Sequence, residues 1–284
     1  MTHVPYDLRD KVVLITGGTR GIGGATAREL LGRGAKVAIV DIDPATPQLA
    51  AELAPHSALG VVADVCDRAA MDLAVAATVE RFGRLDVAIA NAGVLSPAAT
   101  VRTTPISSIE SLFAVNVFGV INTVQAAMEQ VRANRGQFIL ISSVFAYLNG
   151  MGTAPYAMSK AAVEQLGRAL RVELATHGVS TTIAYFSLIE TDMIKRGIDG
   201  DQVVDEILTA LPRPLLKRLQ PGSAAKALAD GLTRRAPRVT APARWIPLSA
   251  LRGLLAPALD PRLARNRRIV AALSTLDART HTAS

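Results

Sequence analysis

Lys11-Val-Val-Leu-Ile-Thr16 runs directly into Gly17-Gly18-Thr19-Arg20-Gly21-Ile22-Gly23. The apolar run has the length and continuity of a strand buried on both faces of a parallel sheet. A helical pattern follows over residues 24–33, closed by Gly32 and Gly34. Strand, glycine-rich turn and helix in this order form a pyrophosphate cradle. The turn needs φ values open to glycine, the backbone must approach the phosphates, and the helix N-terminus offers free N–H groups and a positive dipole end. The spacing is G-x-x-x-G-x-G rather than G-x-G-x-x-G. Gly17, Thr19, Arg20, Gly21, Ile22 and Gly23 are therefore candidate cofactor contacts.

Working outward, a second apolar run over residues 36–40 ends at Asp41. A carboxylate about 20 residues beyond such a turn accepts both adenosine ribose hydroxyls and repels a 2′-phosphate, which favours NAD. Arg20 points the other way, since a guanidinium can pair with that phosphate, and keeps NADP as the alternative. A third strand is expected over 59–63, ahead of Asp64-Val65, then a helix through Arg81 and a fourth strand over 86–90. Strands alternating with helices imply right-handed crossovers and a doubly wound parallel α/β sheet. The fourth strand ends in Asn91-Ala92-Gly93, small residues that let a cofactor lie against the strand ends. A long helix over 105–132 carries Asn116 in apolar surroundings, where it must find hydrogen-bond partners. The fifth strand, 137–141, delivers Ser142-Ser143.

Thirteen residues after Ser143 comes Tyr156-Ala-Met-Ser-Lys160. Tyrosine and lysine four apart share a helix face, where an ammonium can lower the phenol pKa toward neutrality. At this point the chain closely resembles the short-chain dehydrogenase/reductase family in its single-domain form. The T-G-x-x-x-G-x-G turn, Asp64, Asn-Ala-Gly, Asn116, Ser143, Tyr156 and Lys160 fall in that family's order, over residues 8–240. The resemblance implies a Rossmann fold of about seven parallel strands and nicotinamide-dependent oxidoreduction. It implies a homodimer or homotetramer built on the two long helices, 105–132 and 153–177. By the same carry-over Tyr156 is the general acid/base, Ser143 orients the substrate oxygen, and Lys160 lowers the Tyr156 pKa and holds ribose hydroxyls. Asn116 places a proton-relay water, and Asp64, Val65, Ile189 and Thr191 join the cofactor contacts.

After a sixth strand, 180–184, the sequence departs from the family: Phe186-Ser187 stands where relatives carry Pro-Gly. Phe186 either stacks near the nicotinamide or fills core space. Residues 192–217 are expected to form a lid with a helix near 201–210. Met193, Ile194, Ile198, Ile207 and Leu208 of the lid, with Phe145 and Met151, suggest an apolar pocket; Phe186 and Leu188 complete the candidate lining. A lipophilic secondary alcohol or ketone (steroid-like, terpenoid or fatty) is the expected substrate. An NADPH-dependent 3-oxoacyl-carrier ketoreductase is the enzyme alternative. A non-catalytic dinucleotide-binding regulator is the alternative from another class, and the complete Ser143–Tyr156–Lys160 set weighs against it.

The 284 residues are 50% hydrophobic and 19% charged, enough for one large core. The expected division is a catalytic domain over 1–242 and an extension over 243–284. One cysteine, Cys66, excludes an internal disulfide and fits a reducing cytosol. No apolar segment opens the chain, so no signal peptide is expected. No run approaches the roughly 20 apolar residues of a membrane span. The histidines (His3, His56, His177, His281) are scattered, and no metal is expected.

The net charge of +7 is concentrated near the end: between Gly231 and Ile269 there are nine arginines and one acid, Asp260. Leu248, Leu251, Leu255 and Leu259 recur there at helical spacing beside Trp245. This segment either packs on its own or a neighbouring subunit at the substrate mouth or rests on an anionic membrane. Nucleic acid is not expected, because no aromatic residues interleave the charges.

Overall fold

The computed structural model describes residues 5–197, 199–209 and 211–279. His3, Ile198, Ala210 and His281 lie outside the described residues.

The chain begins β1 (Val12–Thr16), α1 (Gly21–Gly32), β2 (Lys36–Asp41), α2 (Thr46–Leu53), β3 (Ala58–Val62), α3 (Arg68–Phe82) and β4 (Val87–Ala90). It continues through α4 (Ile106–Phe113), a π-turn (Ala114–Phe118), α5 (Gly119–Ala133), β5 (Gln137–Ser143), a 3₁₀ turn (Val144–Ala146), α6 (Ala154–Glu173) and β6 (Ser180–Phe186). Next come α7 (Asp192–Gly197), α8 (Gln202–Leu208) and α9 (Arg213–Leu216). Then follow α10 (Pro221–Thr233), β7 (Arg238–Ala241), α11 (Ile246–Arg265) and α12 (Arg267–Ala278).

The strands form one seven-stranded parallel sheet in the order β3-β2-β1-β4-β5-β6-β7. All the C-terminal strand ends therefore share one edge, and the winding reverses between β1 and β4, where such sheets open a ligand crevice. β1 shows how the sequence builds two cores. Val13 and Ile15 face α1, α2 and α10 with Ala27, Leu30 and Leu228, whereas Val12 and Leu14 face α3, α5 and α6 with Met71, Val124 and Val163. At the opposite edge, buried Asp86 accepts from the Val12 N–H at 3.0 Å and pairs with Arg84 at 2.6 Å. These bonds align β4 with β1 before either reaches the site.

The helix Ile106–Ala133 is continuous and, by length and composition alone, apolar enough to cross a membrane. In the fold its α5 half lies along the sheet, with Val120, Val124, Ala127 and Val131 buried. Its π-turn closes with the Gly119 N–H bonded to the Ala114 carbonyl, one residue wider than a helical turn.

The last two helices return over the site edge. α12 buries Ile269, Ala272 and Leu276, the latter two in a small cluster with Val203 of α8, and Arg279 pairs with Asp201 at 2.6 and 2.8 Å. α11 is held by Arg252, which bonds Glu164 of α6 at 2.8 Å. The leucine pattern expected for α11 divides. Leu248, Leu255 and Leu259 line a cavity, whereas Leu251 turns outward and is 49% exposed.

Candidate active site

The glycine turn sits at the β1/β4 reversal. A Cβ on Gly23 would fall 2.0 Å from the Gly17 carbonyl oxygen, and one on Gly17, at φ +63°, would fall 2.9 Å from the Ala92 Cα. Only glycine permits this approach. Asn91 closes it, donating to the Thr16 and Gly17 carbonyls at 2.8 and 3.0 Å. The Thr16 hydroxyl accepts from the Asn91 and Ala92 N–H groups at 3.0 and 3.1 Å. Asn91 is therefore a cross-strand clamp as well as a strand-end residue.

Asp41 reaches back to the turn. Its Oδ2 accepts from the Thr19 N–H at 3.1 Å and hydroxyl at 2.6 Å, while Oδ1 meets only the Asp43 N–H at 3.4 Å. One carboxylate oxygen thus fixes the turn and the other retains acceptor capacity. Arg20 is exposed at the α1 N-terminus and has no ion pair among the described residues. Ile22 packs against the core, Asp64 accepts from the Cys66 N–H at 2.9 Å, and buried Val65 offers its carbonyl to Asn122 at 2.9 Å. Thr191 comes over the turn, its methyl carbon 3.4 Å from where a Gly21 Cβ would lie. Ile189 is buried in the core, and its carbonyl accepts from the Thr191 hydroxyl at 3.3 Å. Bare glycine backbone facing Thr191, with a half-free carboxylate beside it, fits an adenine dinucleotide.

The second wall comes from β5 and α6. Ser143, at the end of β5, donates to the Phe186 carbonyl and accepts from the Phe145 N–H, both at 3.2 Å. Phe186 is only 3% exposed, packs in the core and lines neither cavity. This corrects its place among the pocket residues: Phe186 shares a face of β6 with Ala184, and its ring belongs to the core that holds Leu228 of α10 and Val239 of β7. Its main chain serves the site instead.

Lys160 is buried, donates to the Ile141 carbonyl at 3.2 Å and lies 5.6 Å from the Tyr156 ring centre. The Ser142 hydroxyl bonds the Lys160 carbonyl at 2.8 Å. Asn116, wholly buried, accepts from the Val94 N–H at 2.8 Å and donates to the Val94 carbonyl at 2.9 Å and to Ser159 at 3.2 Å. A Cβ on Gly93 would lie 3.2 Å from Asn116 Oδ1 and 3.4 Å from Lys160 Nζ. Gly93, Asn116 and Lys160 therefore meet at one point.

Burial pulls the Lys160 pKa down to about 8. Burial also raises the Tyr156 hydroxyl above its ordinary value of 10.0, against a hydrogen bond with Ser143 that lowers it. The Lys160 ammonium is turned toward the Ile141 carbonyl.

Tyr156 opens onto two adjoining cavities of about 50 and 270 Å³. The smaller holds Ser143, Phe145, Leu188 and Met193; the larger holds Phe145 and Met151. The far wall of the larger is α11, through Leu248, Leu255, Leu259 and Leu263. Sequence reasoning missed Leu95, Tyr147 and Leu148, which carry no periodic signal, and Leu263, which continues the α11 stripe by one turn.

A family model described as short chain dehydrogenase matches residues 11–201. A 2-(R)-hydroxypropyl-CoM dehydrogenase of Xanthobacter autotrophicus is 32% identical over 210 residues, 72% of this chain and 84% of that protein. Momilactone A synthase of Oryza sativa subsp. japonica is 33% identical over 215 residues, 74% of this chain and 78% of that protein. Among solved structures, a 3-ketoacyl-(acyl-carrier-protein) reductase from Brucella melitensis complexed with NADH superposes with a TM-score of 0.73 at 26% identity, covering 82% of this chain and 97% of that one. With its sheet order, its Ser143–Tyr156–Lys160 wall and these matches, the chain belongs to the short-chain dehydrogenase/reductase family, oxidoreductases of alcohol and ketone groups.

Proposed function

We propose that the chain interconverts a lipophilic secondary alcohol and its ketone with NAD(H). The observation that carries this reading is the opening of Tyr156 onto an apolar cavity of about 270 Å³, walled by Leu95, Leu148, Ile207, Leu211 and Leu255. A bound nicotinamide dinucleotide supplies or accepts the hydride. The chain's own residues handle the proton. Ser143 holds the substrate oxygen beside Tyr156, and Tyr156 gives its hydroxyl proton to a ketone or takes one from an alcohol. Lys160 binds ribose hydroxyls and returns the proton, with Asn116 holding the loop at Val94 around it.

NAD over NADP rests on the acceptor capacity left on Asp41 Oδ1, which meets only the Asp43 N–H at 3.4 Å. The 3-oxoacyl-carrier alternative draws on the Brucella melitensis neighbour. Closure of the larger cavity by α11 favours a free small molecule over a substrate arriving on a carrier. A second copy packs along the two long helices, of which Ile106–Ala133 exposes Ile106 and Phe118, and α6 exposes Met158 and Val172.

Tyr156→Phe is expected to abolish turnover of lipophilic alcohols while leaving NADH affinity unchanged; near-normal turnover would refute the assignment. Calorimetric titration should show NADH binding more tightly than NADPH, with the preference lost in Asp41→Ala; tighter NADPH binding would make Arg20 the dominant contact.

Lys160 gives a pH signature. Its folded pKa of about 8 lies below the ordinary 10.5, so between these values the unfolded chain binds more protons and stability rises with pH. Urea unfolding should show wild type gaining up to about 3 kcal/mol relative to Lys160→Met across that window. A constant difference would mean that the ammonium is not desolvated. Light scattering should give twice or four times the chain mass, and a monomer would overturn the α5–α6 assembly.

A further inference from the structure

We propose that the outward face of α11 docks on an anionic lipid surface. The helix is apolar on two sides. Its inner side lines the larger cavity, and Arg252, the one charge between residues 246 and 259, turns inward to Glu164. The outer side carries Ile246, Ala250, Leu251, Leu254 and Ala258, with Ile246 51% and Leu254 77% exposed. A helix apolar all round is normally covered on every side. Here the fold covers one side only.

The charges bordering this face define its partner. Arg262, Arg265, Arg267 and Arg268 are exposed where α11 meets α12, and none is ion-paired among the described residues. The nearby acid, Asp260, accepts from Asn149 at 3.1 Å. Arg267 and Arg268 occupy the first turn of α12, the positive end of its dipole, where cations cost stability. Asn266 caps that turn through the Arg268 and Ile269 N–H groups at 3.0 and 3.4 Å, and buried Ile269 and Ala272 anchor the helix. The arginines are therefore held in place against the preference of their own helix, beside an uncovered apolar strip. Apolar side chains flanked by cations match the boundary between acyl chains and anionic headgroups. A second copy matches less well, because a two-fold contact sets a patch against itself and brings arginine onto arginine.

The docking surface stands on the exposed face alone. Under the lipophilic-substrate reading it also places the cavity one helix thickness from the lipid.

The test is sedimentation of the full-length protein with vesicles of equal parts phosphatidylcholine and phosphatidylglycerol, against phosphatidylcholine alone. The mixed vesicles should pellet the protein, and high salt should release it. Leu254→Glu, and separately the pair Arg267→Glu and Arg268→Glu, should weaken binding at least about tenfold while keeping wild-type NADH affinity. No sedimentation, or equal sedimentation of Leu254→Glu, would overturn the proposal. So would a wild-type oligomer that Leu254→Glu splits without lipid, since a second copy would then be the cover.

Discussion

The site depends on how closely the end of β1 can approach the end of β4. Both strands are fully buried, so their separation is fixed by the sheet, and the turn after Thr16 must pass within contact distance of Ala92. Glycine at 17 and 23 makes that passage possible, and Asn91 fixes it with bonds to two successive carbonyls. Buried amide bonds of this kind each contribute about 1 kcal/mol net, but leaving any of them unmade costs more. The reversal of winding opens the crevice, and this clamp keeps its floor rigid. Asp41 extends the same network sideways, so the carboxylate offered to a ribose is already oriented by Thr19.

The catalytic wall is organised by similar means on the other side of the crevice. Asn116, placed by one turn of π-helix, saturates both main-chain groups of Val94 and touches Ser159, which lies between Tyr156 and Lys160 on α6. Ser142 meets the Lys160 carbonyl. The reacting groups therefore rest on strands and a long helix, as positioning within fractions of an ångström demands. The substrate side is built from α7 to α9 and α11, short or terminal elements attached through side chains. Rigid chemistry and adjustable shape are thereby assigned to different parts of the chain.

The sheet and the glycine turn were legible because their signals are local. A run such as Val12 to Thr16 admits one reading once Gly17 to Gly23 follows it, and Ser143, Tyr156 and Lys160 fall into place by spacing. Contacts set by register were not legible. The core position of Phe186 follows from its neighbours Leu228 and Val239, which no window of sequence around it contains. The four-residue leucine spacing identified α11 as a helix but left its orientation open, since Leu251 belongs to the same pattern as Leu255 and yet faces away from the cavity. The burial that raises the Tyr156 hydroxyl is likewise set by neighbours distant in sequence, and so is the bond from Lys160 to the Ile141 carbonyl.

Glu164 lies one helical turn beyond Lys160, is almost wholly buried, and is matched by Arg252 from α11. A chain cut after β7 would keep every strand of its sheet and still be incomplete. It would lose Arg252, the partner of Glu164, and breaking a buried pair by removing one member commonly costs several kcal/mol. The extension looks separable when the sequence is divided by pattern. In the fold it is tied to α6 through Arg252 and walls the larger cavity through Leu248, Leu255, Leu259 and Leu263.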